Sequence, residues 1–186
     1  LKPYQKPHPP IVVTAVAPHS KGVTEATKRG WMPISANFLL PEWVASHWPK
    51  YVDGRKAIGA EPDANHWRVA KSIFVADDDK VAKRYGYGAE GPYHFYFKQL
   101  LRKLVWGGRS NLFKLDQSAP DPTVEEITNK LVFAGSVNSV VDQILAFREQ
   151  VGDFGTLYYP CHDWVDPALG KRSMQLMAEE VMPRVN

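Results

Sequence analysis

The run Ile11-Val12-Val13-Thr14-Ala15-Val16 constrains the fold more than any other segment of this chain. It is short, β-branched and apolar on both parities, which is how a strand buried on both faces of a parallel sheet reads. A turn at 17–22 follows, then a helical stretch at 23–29 closed by Gly30 at a C′ position. The alternation recurs. Residues 33–36 form a weak strand candidate, and Pro41 opens a helix that Pro49 should kink or restart before Gly59. Residues 67–75 read as the next strand, apolar apart from Arg68, Lys71 and Ser72. Asp77, Asp78 and Asp79 then stand where a helix N-terminus favours negative charge.

The pattern breaks at 85–122, which holds a dense aromatic segment (Tyr93-His94-Phe95-Tyr96-Phe97), Gly107-Gly108 and Pro120-Asp121-Pro122. This segment reads as an insertion with a helix near 93–105. Regular order resumes at the capping-box pattern Thr123-Val124-Glu125-Glu126. A long amphipathic helix follows Gly135-Ser136 and stops at Gly152. Residues 156–159 form the last strand, and Asp166-Pro167 caps a final helix that ends near Met182-Pro183. Strand–helix alternation repeated four times calls for parallel strands with right-handed crossovers. Four such units make half of an eightfold barrel. A doubly wound sheet would want G-x-G-x-x-G after its first strand, and that motif is absent.

Composition narrows the partners. The chain has 186 residues, 44% hydrophobic and 23% charged, as folded domains do. Its net charge of +3 is scattered, so no nucleic-acid partner is expected. No apolar run approaches the roughly 20 residues of a membrane span. The lone Cys161 cannot form an internal disulfide and suggests a reducing, cytoplasmic setting. The N-terminus, LKPYQKPHPP, reads as a proline-rich linker over residues 1–10, and a chain that starts there is expected to be a fragment or a processed product.

Four segments carry a resemblance. Residues 2–11, Lys-Pro-Tyr-Gln-Lys-Pro-His-Pro-Pro-Ile, resemble the linker entering the fifth strand of the bacterial luciferase-like flavin monooxygenases. Pro18 and Ser20, followed by Glu25-Ala26 and Gly30, resemble that family's strand-five loop and helix. Gly135-Ser136-Val137 resembles its G-[ST]-P helix start, with Val137 in place of proline. The tail Ala178-Glu179-Glu180-Val181-Met182-Pro183 resembles its closing signature. Within the family the chain looks most like the limonene monooxygenase-like group.

The resemblance implies an α/β fold: strands five to eight of a (β/α)8 barrel, with 1–186 as the second half of a single domain and 85–122 as a lid after strand seven. It implies an FMN-dependent monooxygenase that uses O2, with reduced FMN supplied by a separate flavin reductase. The substrate is expected to be small and hydrophobic, terpene-like or aromatic. The missing N-terminal half would hold the early catalytic histidine, so the catalytic residues are expected to lie outside this chain. Two open strand edges then predict a homo-oligomer or pairing with the missing half. A sister branch of the fold uses the deazaflavin F420 for hydride transfer, and a non-catalytic flavin- or protein-binding half-barrel is a further alternative.

For the cofactor, the strand end Ala15, Val16, Ala17 and the turn residues His19, Ser20 and Lys21 form the candidate site. Unpaired N–H groups at a helix N-terminus favour an anion, although an ordinary βα loop with a capping serine reads the same way. The resemblance places the FMN phosphate near this loop. For the substrate, Asn37 and Phe38 follow the sixth strand and Tyr159 ends the eighth. Tyr93 and Phe97 share a helix face in the aromatic insertion, which either lines a dry lid or packs the insertion onto the barrel. Cys161 and His162 are adjacent on an extended segment and point to opposite faces. No spacing suggests a metal site.

Overall fold

A computed structural model describes residues 2–186; Leu1, the first residue of the expected linker, lies outside them. Residues 2–10 form no helix or strand, in keeping with their four prolines. Six strands follow: β1 (Val12–Ala15), β2 (Met32–Ser35), β3 (Arg68–Ala70), β4 (Ser72–Val75), β5 (Val132–Gly135) and β6 (Thr156–Tyr158). Every strand pairing is parallel, in the order β1-β2-β3-β6 for one sheet and β4-β5 for the other. Parallel neighbours require crossover connections. Helices supply them: α1 (Lys21–Lys28), α2 (Pro41–Ala45), α3 (His47–Ala57), α4 (Asp79–Tyr87), α5 (Pro92–Trp106), α6 (Val124–Leu131) and α7 (Val137–Val151). After β6 come α8 (Pro167–Leu176) and α9 (Met182–Val185), joined by a π-type turn over Met177–Val181.

β4 shows why an uninterrupted apolar run suits such a sheet. Ile73 and Val75 pack beneath Val140, Val141 and Ile144 of α7. Phe74, pointing the other way, packs with Tyr93, Phe97, Leu131 and Ala134 under α5 and α6.

Four expectations need correction. β1 is a strand but is not buried on both faces: it pairs only with β2, and Val12 and Val16 are 43% and 37% exposed. The strand expected at 67–75 divides at Lys71, whose N–H reaches the Tyr158 carbonyl (3.0 Å) to finish the β6 pairing before Ser72 turns to β5. The helix opened by Pro41 restarts at His47 rather than at Pro49. Pro49 has no N–H to offer the Ala45 carbonyl, so it is accommodated in the first turn of a new helix. The final helix runs past Pro183 to Val185, the wide turn before it absorbing the missing donor.

Lys71 is also the outlier of the core. It is 1% exposed, its Nζ has no hydrogen-bond partner, and it lies 4.8 Å from the Phe133 ring centre and 4.9 Å from that of Phe147. Burial pushes its pKa down to about 7, against the opposing pull of Glu42.

Candidate functional site

In parallel α/β folds ligands gather where the strands end. At the end of β1 the backbone is held from two sides. The Ala17 carbonyl accepts from Nε2 of His47 (2.8 Å), whose Nδ1 meets the Ser35 hydroxyl (2.8 Å), and Ser35 Oγ accepts from Trp67 Nε1 (3.1 Å). One proton arrangement satisfies the whole chain of bonds, with His47 neutral and its proton on Nε2. Burial keeps that imidazole below its ordinary pKa, with the Ala17 carbonyl pulling the other way. From the second side, the His19 N–H donates to Ser46 Oγ (2.8 Å), which itself donates to the Trp43 carbonyl (2.6 Å).

Between these anchors His19 adopts φ 49, a left-handed conformation that a non-glycine residue keeps only when its surroundings impose it. The turn delivers Ser20 to the N-cap of α1, yet its side chain makes no capping bond, and the first turn of α1 carries no acid. Lys21 is exposed beside it. Of the expected cofactor residues, His19, Ser20 and Lys21 are thus presented at a helix N-terminus. Ala15 is buried beneath them, its carbonyl accepting from the Ala36 N–H (3.1 Å).

The other helices that leave strand ends have their N-termini answered from within the chain. Asp79 accepts from the Ser136 N–H (2.6 Å) and the Ser139 hydroxyl (3.1 Å) at the start of α7. Those bonds hold its carboxyl below the ordinary carboxylate range. Asp78 caps α4, Asp166 caps α8, and Glu42 sits in the first turn of α2. Among the described residues, the N-terminus of α1 is the one at a strand end without a carboxylate.

Beyond β2, Asn37 donates from Nδ2 to Ser72 Oγ (3.0 Å) and accepts the Tyr96 hydroxyl at Oδ1 (3.2 Å). Phe38 is half-buried and packs against two core clusters. Tyr93 and Phe97 are fully buried, the Tyr93 hydroxyl donating to the Ile73 carbonyl. They face the core because α5 seats its 93/97 row on β4 and α6, which leaves the 96/99/103 row to face outward. That outer row lines a cavity of about 480 Å3 with His162 and Val165. Tyr159 is turned away toward α8, its hydroxyl 3.3 Å from Ser173 Oγ. Cys161 is exposed while His162 turns inward. The chain therefore joins Asn37 to Tyr96 and leaves Tyr93, Phe97 and Tyr159 as packing.

No family model matches the chain. Among characterised proteins it is 30% identical over 190 residues to the 3,6-diketocamphane 1,6-monooxygenase of Pseudomonas putida, covering 100% of this chain and 49% of that protein. A solved structure described as a type II Baeyer-Villiger monooxygenase, the oxygenating constituent of 3,6-diketocamphane monooxygenase from a plasmid of the same organism in complex with FMN, superposes with a TM-score of 0.83. It has 30% identity and covers 96% of this chain and 50% of that one. Over its whole length the chain is thus similar to about one half of flavin-dependent monooxygenases, in keeping with its sequence resemblance to the luciferase-like family. It spans about half the length of the curated relatives it matches. An F420-dependent secondary alcohol dehydrogenase shares the fold at 16% identity and a TM-score of 0.61, covering 95% of this chain and 49% of that one.

In this chain the residues that sequence reasoning missed are His47 and Ser46. A signal for His47 existed: it shares with Tyr51 and Gly54 the buried three- and four-residue spacing of α3. Tyr96 stands in the aromatic segment already singled out, and what the sequence does not separate is which of its rings face the core.

Proposed function

We propose that this chain supplies strands five to eight of a (β/α)8 barrel in an FMN-dependent monooxygenase, with 1–186 as half of one domain and 85–122 inserted over the barrel mouth. The observation that carries the reading is the N-terminus of α1, free of any carboxylate and preceded by a turn pinned through His47 and Ser46. A rigid cluster of N–H donors with an unbonded hydroxyl and an adjacent lysine is what a phosphate monoester needs. The residues present fit that end of FMN: Ser20, Lys21 and the first-turn amides hold the phosphate, His19 shapes the turn, and Ala15, Val16 and Ala17 form the strand end beneath. Bound and reduced, the flavin supplies the activation of O2. The chain's own part is to hold the phosphate and to keep water from a small hydrophobic substrate, terpene-like or aromatic, near Asn37 and the α5 helix.

The likeness to an FMN-bound oxygenating constituent supports both the cofactor and a separate reductase as the source of its electrons. The relatives' double length, with the exposed apolar residues on β1 and β6 (Val12, Tyr158) and just after β1 (Val16), supports an N-terminal half-barrel as the partner of these two edges. Titrating the protein with FMN, riboflavin and F420, each followed by its own fluorescence, tests the reading. FMN binding tighter than riboflavin by ten-fold or more is expected. A preference for F420 favours the hydride-transferring branch of the fold, and indifference to all three, with the N-terminal half present, favours a non-catalytic half-barrel.

A further inference from the structure

The outer face of α5 carries the two most exposed large apolar side chains between residues 11 and 186, Phe95 at 67% and Trp106 at 92%. The helical repeat brings these two rings within about 20° of one line, roughly 16 Å apart along the axis. Arg102 lies on that line between them, and Lys98 and Lys103 flank it on either side, all three exposed. Val105 widens the apolar end, and Arg109 follows just past the turn at Gly107-Gly108. The opposite face of α5 is committed to the core through Tyr93 and Phe97, which fixes this row outward. α5 contains no acidic residue. Among the described residues, none of the four cations pairs with a carboxylate, whereas Lys28, Arg148 and Arg172 each do. Even Asp163, on the neighbouring cavity that Lys103 also lines, stays outside salt-bridge range.

We propose that this face docks the protein on an anionic lipid surface, with Phe95 and Trp106 seated among the headgroups and the four cations on lipid phosphates. Aromatic rings flanked by Lys and Arg suit the headgroup layer, where a ring needs no preformed pocket. The row follows one straight helix, so a plane meets all of it at once. A second copy of the same face is disfavoured, because its cations would stand against their own kind. The helix lies on the surface and does not cross it, in keeping with the lack of any described helix long and apolar enough to span a membrane. This docking goes beyond the monooxygenase reading and does not depend on it.

The test floats the full chain with vesicles of phosphatidylcholine alone or mixed equally with phosphatidylglycerol. Flotation separates vesicle-bound protein from self-associated protein, which sinks, and brominated lipid quenches a tryptophan that enters the bilayer surface. Anionic vesicles are expected to bind about tenfold or more tightly than neutral ones at low salt, and added salt should erase most of the difference. Arg102→Gln with Lys103→Gln is expected to cost roughly ten- to thirtyfold on anionic vesicles and nothing on neutral ones. Trp106→Ala should remove most of the quenching and weaken binding about five- to tenfold. Circular dichroism verifies the fold of these surface variants. No flotation with anionic vesicles, equal flotation with both kinds, or binding that survives the substitutions each overturns the proposal. Binding to soluble polyglutamate as tight as to vesicles, without bromine quenching, assigns the face to an acidic protein instead. Vesicle binding that disappears when an N-terminal half-barrel is added assigns it to that half, and either result overturns lipid docking.

Discussion

The Nε2 of His47 donates a 2.8 Å hydrogen bond to the carbonyl of Ala17, thirty residues earlier in the chain, and so ties the start of α3 to the end of β1. With Ser35 and Trp67 behind it, His47 closes a buried polar chain in which each member has its partner. Such a chain is costly to open at one link, because the groups left behind stay buried without bonds.

His47→Phe strands the Ala17 carbonyl and the Ser35 hydroxyl together, at about 1–3 kcal/mol for each unsatisfied group. Denaturant unfolding is expected to show a loss of roughly 2–4 kcal/mol, and FMN affinity should fall as the turn loosens. The wild type should also carry a pH signature. His47 has a folded pKa below its ordinary 6.5, so the unfolded chain binds the proton first. Its contribution is full above pH 6.5 and is lost as pH falls toward the folded value. The acid-side slope of stability should flatten in His47→Phe, and an unchanged slope would assign it to other groups.

Lys71 shares the sign of that pH slope, but removing its charge is expected to stabilise rather than destabilise. Its folded pKa of about 7 lies below the ordinary 10.5, so the unfolded chain holds this proton over a range where the folded one does not. Stability is therefore reduced at neutral pH and recovers as pH rises from 7 to 10.5. Lys71→Met keeps the stem between Phe133 and Phe147 without the amine. It should raise stability at pH 7 by on the order of 2 kcal/mol and remove that alkaline slope. A destabilised Met variant would mean that the amine has a partner in solution that its packing between the two rings does not reveal.

Much of the architecture was legible because strand and helix periods alternate cleanly. The runs around Val12–Ala15, Arg68–Val75 and Thr156–Tyr158, and the α7 stripe of Val140, Val141 and Ile144, each carry their own burial pattern. β5 was not legible. Val132 follows Leu131 of α6 with no turn residue between them, and a four-residue strand has too few periods to declare itself. In the site, the turn after β1 could be placed by position alone. What holds it could not, since Ser46 and His47 lie 27 and 30 residues from their partners. The choice between Tyr93 and Tyr96 rests on how α5 rolls against β4 and α6, which is tertiary information that no local pattern carries.

The 186-residue chain taken alone should self-associate. β1 and β6 are edge strands of a parallel sheet and bear Val12 and Tyr158 exposed, with Val16 exposed just past the end of β1. Light scattering is expected to report species larger than 21.0 kDa, dispersing when an N-terminal half-barrel is added. A monodisperse monomer with a sharp cooperative melt contradicts the edge-pairing account.

The central claim is that the N-terminus of α1 holds a phosphate. The direct measurement is the dissociation constant of FMN and of riboflavin for the wild type and for the Ser20→Ala, Lys21→Ala double variant, with circular dichroism to verify the fold. A hydrogen bond to a charged group contributes about 1.5–3 kcal/mol, and the exposed lysine adds less because salt screens it. FMN should therefore bind roughly ten- to a hundredfold more weakly, while riboflavin, which lacks the phosphate, should be nearly unchanged. Equal losses for both ligands, or no loss for either, would contradict the claim.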